Sequence, residues 1–75
     1  MNKTKRDELS KIASKLSDLK DEIESISSEE QEKMDNMPEN LHDGEIYTGM
    51  EEAVELLNNS MSSLEEAINY IEEIT

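Results

Sequence analysis

From Met50 the chain reads Met50-Glu51-Glu52-Ala53-Val54-Glu55-Leu56, then Leu57-Asn58-Asn59-Ser60-Met61-Ser62-Ser63, then Leu64-Glu65-Glu66-Ala67-Ile68-Asn69-Tyr70, and closes on Ile71-Glu72-Glu73-Ile74-Thr75. Each seven-residue unit opens on a large apolar residue, continues with two polar ones and then usually a small one, and supplies a second large apolar residue. Met50, Leu57, Leu64 and Ile71 take heptad position d, Val54, Met61 and Ile68 take a, and Ala53, Ser60 and Ala67 take g. Apolar residues spaced alternately by three and four keep one seam of an α-helix turned towards a partner helix. The small g residues let a neighbour approach closely. The glutamate pairs fill the exposed e and f positions, with Asn58-Asn59 as the one neutral interruption. Thr48 and Glu51 form a capping box, so a helix is predicted over about 49–74.

The first half carries the same period. Leu9, Ile12, Leu16, Leu19, Ile23 and Ile26 are separated by steps of three and four, and with Leu9 as a, every a and d site through Ile26 is apolar. Thr4 followed by Asp7 is a weaker capping box. The stripe fails at Glu30 and Lys33, and Met34 and Met37 resume it one position late. Pro38 disfavours helical geometry at Met37, so the first helix is predicted over about 5–36. Pro38, Asn36, Asn40 and Asp43-Gly44 mark residues 36–48 as a turn, long for a bare helix connection. The chain thus reads as one all-α domain over residues 1–75, an antiparallel coiled-coil hairpin.

Charge supports the same pairing. Residues 1–20 hold six of the seven cations and net +3, residues 21–75 net −16, and the whole nets −13. An antiparallel register in which paired residue numbers sum to 80 leaves no apolar residue unmatched: Leu9 by Ile71, Ile12 by Ile68, Leu16 by Leu64, Leu19 by Met61, Ile23 by Leu57 and Ile26 by Val54. It also carries Arg6 towards Glu72 and lays the basic start along the acidic end. Surface ion pairs of this kind are each worth about 0–1 kcal/mol, so they orient the pairing while burial stabilises it. Two helices make a thin core, and Leu56, Tyr70 and Ile74 lie off the seam. Self-association into a twofold four-helix bundle is therefore expected, with the twelve residues just paired serving as seam and oligomerisation positions.

The composition narrows the chemistry. There is no Cys, Phe or Trp, which excludes disulfides, thiolate metal sites and thiol nucleophiles and leaves no aromatic platform for stacked bases. His42 is the only histidine, and is expected to be a solvated loop residue. Asp35, Asp43 and Glu45 lack the spacing of a calcium loop. Adjacent glutamates such as Glu65-Glu66 point in different directions on a helix and make no acid/base pair. No enzyme, cofactor or metal is expected. No apolar run exceeds two residues, so neither a transmembrane helix nor a signal-peptide core is expected. The acidity argues against direct binding to nucleic acid or to an anionic membrane.

Glu29-Glu30-Gln31-Glu32-Lys33-Met34-Asp35-Asn36-Met37-Pro38-Glu39-Asn40-Leu41, followed by a Glu-Glu-Ala heptad helix, resembles a group of short, acidic, uncharacterised helical-hairpin proteins of bacteriophages and bacterial mobile elements. The resemblance implies a bacterial cytoplasm and an accessory gene, and brings no activity or functional residue with it. Two functions fit. One is a non-enzymatic binding or assembly module that pairs through its helices with itself or another protein. The other is an acidic inhibitor, a nucleic-acid mimic or anti-defence protein occupying the basic cleft of a nucleic-acid-handling enzyme, with Glu51, Glu52, Glu55, Glu65, Glu66, Glu72 and Glu73 as the contact candidates. On a hairpin about 40 Å long, thirteen net charges give one per roughly 3 Å, and a side-by-side dimer one per roughly 1.5 Å, against one per roughly 1.7 Å for duplex DNA.

Overall fold

The computed structural model describes all 75 residues, Met1–Thr75. Helix α1 spans Lys3–Asp35, a single 3₁₀ turn spans Glu39–Leu41, and helix α2 spans Glu45–Ile74. The two helices lie antiparallel as a rod of 59 × 14 × 12 Å with a radius of gyration of 17.2 Å. A compact chain of this length would have a radius near 11 Å.

Both helices start earlier than the capping boxes predict. The Asn2 side chain accepts a hydrogen bond from the Lys5 amide at 2.9 Å, so Asn2 rather than Thr4 caps α1. Thr48 lies inside α2, and its hydroxyl donates back to the Gly44 carbonyl at 3.1 Å, as internal threonines do. Gly44 takes the extended cap conformation instead. At the other end of α1, the Asn36 amide closes the last turn on the Glu32 carbonyl. Pro38 then opens a tight connection in which the Leu41 amide donates to the Pro38 carbonyl, His42 to Glu39 and Gly44 to Leu41. The predicted 36–48 turn is therefore shortened at its far end, because these stepped bonds lead directly into α2. His42 is half-buried rather than solvated: its ring stacks on Tyr47 at 4.3 Å, and its Nε2 lies 3.0 Å from the Met37 carbonyl.

On α2 the seam is the one the heptads predict, with Met50, Val54, Leu57, Met61, Leu64, Ile68 and Ile71 turned inwards. On α1 it is not. The residues turned inwards are Leu9, Ala13, Leu16, Lys20, Ile23, Ser27, Glu30, Met34 and Met37. The predicted seam residues Ile12, Leu19 and Ile26 stand 44%, 50% and 56% exposed. Helix α1 is thus rolled by one row of its heptad wheel, about 50°, from the orientation its apolar stripe favours. The physical reason lies in Ala13, Ser27 and Met34. The roll sets the small Ala13 and Ser27 against α2, where helices must approach closely. It also brings Met34 and Met37 into line with Leu9, Leu16 and Ile23, so the late methionines continue one seam instead of breaking it.

The register shifts as well. Lys20 bonds Glu65 at 2.7 Å and Ser27 bonds Asn58 at 3.2 Å, pairs that sum to 85 rather than 80. Five residues amount to about 7.5 Å along the axis. The first turns of α1 are thereby carried beyond the end of α2, and Arg6 forms no ion pair with Glu72. Lys3 and Lys5 are answered instead by Asp7 and Glu8 of the same helix, at 3.6 and 3.2 Å. Only four side chains are buried (Ala13, Ser27, Met34 and Ile68), and none is fully enclosed.

Candidate functional site

The roll of α1 divides the hairpin into two unlike faces. On one flank of the seam α1 presents the row Ser10, Ser17, Glu24 and Gln31, and α2 presents Glu51, Asn58, Glu65 and Glu72. These rows line a run of shallow depressions along the groove between the helices. Ser14, Ser28, Glu55, Asn59 and Thr75 complete the lining, which is polar throughout apart from the seam residues at its floor. Of the seven acidic candidates, Glu51, Glu55, Glu65 and Glu72 therefore edge this groove, whereas Glu52, Glu66 and Glu73 stand one row further out. The structure does not gather them. Successive acids in a row are seven residues, about 10 Å, apart. No group of three His, Asp or Glu side chains is close enough to hold a metal ion.

Within the groove, Lys20 and Glu65 make the one ion pair that joins the helices. The hydrogen bond to Glu65 holds the Lys20 ammonium above its ordinary value of 10.5. A group whose folded value is raised contributes fully below its unfolded value and loses that contribution as pH climbs through the raised one. Lys20→Gln, which removes the charge without adding an apolar side chain to the seam, is therefore expected to lower the melting temperature slightly at neutral pH and not at all at strongly alkaline pH. Lys20→Glu, which sets like charges against Glu65, is expected to lower it by several degrees. Thermal melts followed by circular dichroism across pH measure both. One layer along, Asn58 accepts the buried Ser27 hydroxyl. The neutral interruption in the glutamate row thus falls at the layer where α2 meets the buried Ser27 hydroxyl.

The opposite face is apolar. On α1 it carries the exposed row Ile12, Leu19 and Ile26, which the exposed Lys33 continues towards the turn. On α2 the row on that flank is Ile46, Ala53, Ser60, Ala67 and Ile74, and beside it runs Gly49, Leu56, Ser63 and Tyr70. Together these nine residues of α2 repeat at three and four, form a second stripe beside the seam, and include no charge. Leu56, Tyr70, Ile46 and Ile74 are all exposed. At the turn the face ends in a depression between Met37, Leu41 and Ile46. The small g row is evident in the heptads. The second stripe was equally legible, since it consists of the positions of α2 from which glutamate is missing.

No helix is long and apolar enough to cross a membrane. No family model matches the sequence, and no curated protein or solved structure matches it.

Proposed function

We propose that this chain is a non-enzymatic protein-binding and assembly module that works by helix-to-helix packing through the apolar face of the hairpin. The observation that carries this reading is the surface left open. The hairpin has 5709 Å² of accessible surface, whereas a compact monomer of 8.6 kDa has about 4,700 Å². The excess of roughly 1,000 Å² comes with the rod shape and is spread over every face, and on one of those faces Ile12, Leu19, Ile26, Leu56, Tyr70 and Ile74 stand open. The resemblance of the turn to phage and mobile-element proteins supports a bacterial, cytoplasmic setting.

The nucleic-acid mimic gains less from the geometry. The rod is 59 Å long rather than about 40 Å, so a net charge of −13 amounts to one charge per roughly 4.5 Å, and a side-by-side dimer reaches one per roughly 2.3 Å, still short of duplex density. Capture from a bacterial lysate separates the two readings. Partners held by the apolar face are expected to remain bound when salt rises from about 50 to about 500 mM, to survive neutralisation of Glu65, Glu66, Glu72 and Glu73 to Gln, and to be lost when Ile12, Leu19 and Ile26 are changed to Ser. Partners released by salt and by the Gln set, but kept by the Ser set, would overturn the proposal in favour of mimicry.

A further inference from the structure

We infer that the apolar face is covered by a second copy of this chain, in a twofold four-helix bundle whose axis runs along the hairpin, so that the large row of α1 in each copy lies on the small row of α2 in the other. The inference rests on the packing role proposed above and names its first occupant. Three observations lead to it. The rod exposes roughly 1,000 Å² more than a compact monomer, so a side-by-side pair can bury the ~800 Å² per protomer of a standard interface and still leave each chain the surface of an ordinary compact protein. The two rows sit side by side on one face and are unlike: Ile12, Leu19 and Ile26 project, while Ser60 and Ala67 leave room. A foreign helix would have to suit both rows, whereas a twofold axis lays each against the other twice. The register also agrees. Such an axis preserves the hairpin's own levels, in which bonded pairs sum to 85. Leu19 then falls by Ala67, Ile26 by Ser60 and Ile12 by Ile74 of the second copy, each within one residue of that level. The acidic groove stays on the outside of both copies, so like charges are held apart.

Sedimentation equilibrium of the full chain over a concentration series tests this. The expected mass is twice 8.6 kDa, and association tightens with added salt, because salt screens the repulsion between two chains of net charge −13. Leu19→Glu with Ser60→Glu, both on the proposed face, is expected to weaken dimerisation on the order of a hundredfold. Ser10→Glu with Ser17→Glu, on the groove side, is expected to leave the mass unchanged. Where the first pair fails to fold, cysteine pairing gives the same information, since the chain has no cysteine of its own. Leu19→Cys and Ala67→Cys chains mixed under oxidation are expected to form the mixed disulfide dimer in excess over either like pair. A wild-type mass of 8.6 kDa at every concentration, a dimer indifferent to the Leu19 and Ser60 changes, or like-with-like disulfides in excess would each overturn the inference. A monomer that still takes a lysate partner through Ile12, Leu19 and Ile26 would overturn the inference alone. A monomer that takes none would remove the broader proposal with it.

Discussion

Ile68→Asp is expected to abolish the helical signal of this protein at 25 °C, whereas Ile12→Asp, studied at low concentration, is expected to retain it. Ile68 is 6% exposed and one of only four buried residues in the chain. Truncating such a side chain to Ala costs about 2–5 kcal/mol, and a carboxylate adds the cost of burying a charge or of protonating it. A chain of 75 residues has a total stability of about 4–11 kcal/mol at the usual 0.05–0.15 per residue, so the loss consumes most or all of it. Ile12 is chemically the same and one heptad position from a seam residue, yet it stands 44% exposed because α1 is rolled away from it. Far-UV circular dichroism of the two variants measures the roll directly. Unfolding by Ile12→Asp as well as by Ile68→Asp would restore the orientation that the apolar stripe favours, in which both residues lie in the seam.

The second large effect runs the other way. Lys20 and Glu30 occupy inward positions of α1 with their side chains only about a third exposed. Replacing both by Leu makes the inward row of α1 apolar from Leu9 to Met37, with Ser27 the one polar member left. Each added apolar side chain brings about 1.5–3 kcal/mol when fully buried and less here, which outweighs the loss of a solvent-screened ion pair. A net gain of about 2–4 kcal/mol corresponds to a rise in melting temperature of roughly 10–25 °C for a chain of this size. An unchanged melting temperature in a thermal scan would show that these two positions do not face α2. Polar residues at such places fix register in coiled coils at the expense of stability. The double variant is accordingly expected to be hotter-melting and less selective in its pairing.

The two helices, their antiparallel pairing and the seam of α2 are legible in the sequence because a strict heptad leaves α2 only one way to bury its large side chains. The orientation of α1 is not, and the reason is specific. Its most apolar stripe, Leu9 to Ile26, ends at Glu30, and nothing local weighs that stripe against the alternative through Ala13, Ser27 and Met34. The choice is made by α2, whose full length can be covered only if α1 remains in contact through Met34 and Met37. The register error follows from the same cause, since matching Leu9–Ile26 to Val54–Ile71 treats two partial stripes as complete ones. The polar layers at Lys20–Glu65 and Ser27–Asn58 were out of reach for a related reason: on a wheel drawn around the wrong stripe, these residues sit outside the contact. Asn58 did leave a trace, as the one heptad in which a glutamate pair is replaced by two amides.

The slender outline of the hairpin bears on how its assembly is weighed in solution. A rod 59 Å long and 14 × 12 Å across drags far more solvent than a sphere of equal mass, so a single chain leaves a gel-filtration column as early as a compact protein of considerably greater mass. Lateral pairing doubles the mass without lengthening the rod, and the particle becomes rounder as it grows. Its sedimentation coefficient therefore rises more steeply than for two rods joined end to end, while its elution volume moves little. Frictional ratio and mass, taken together, distinguish one extended chain from two chains packed side by side.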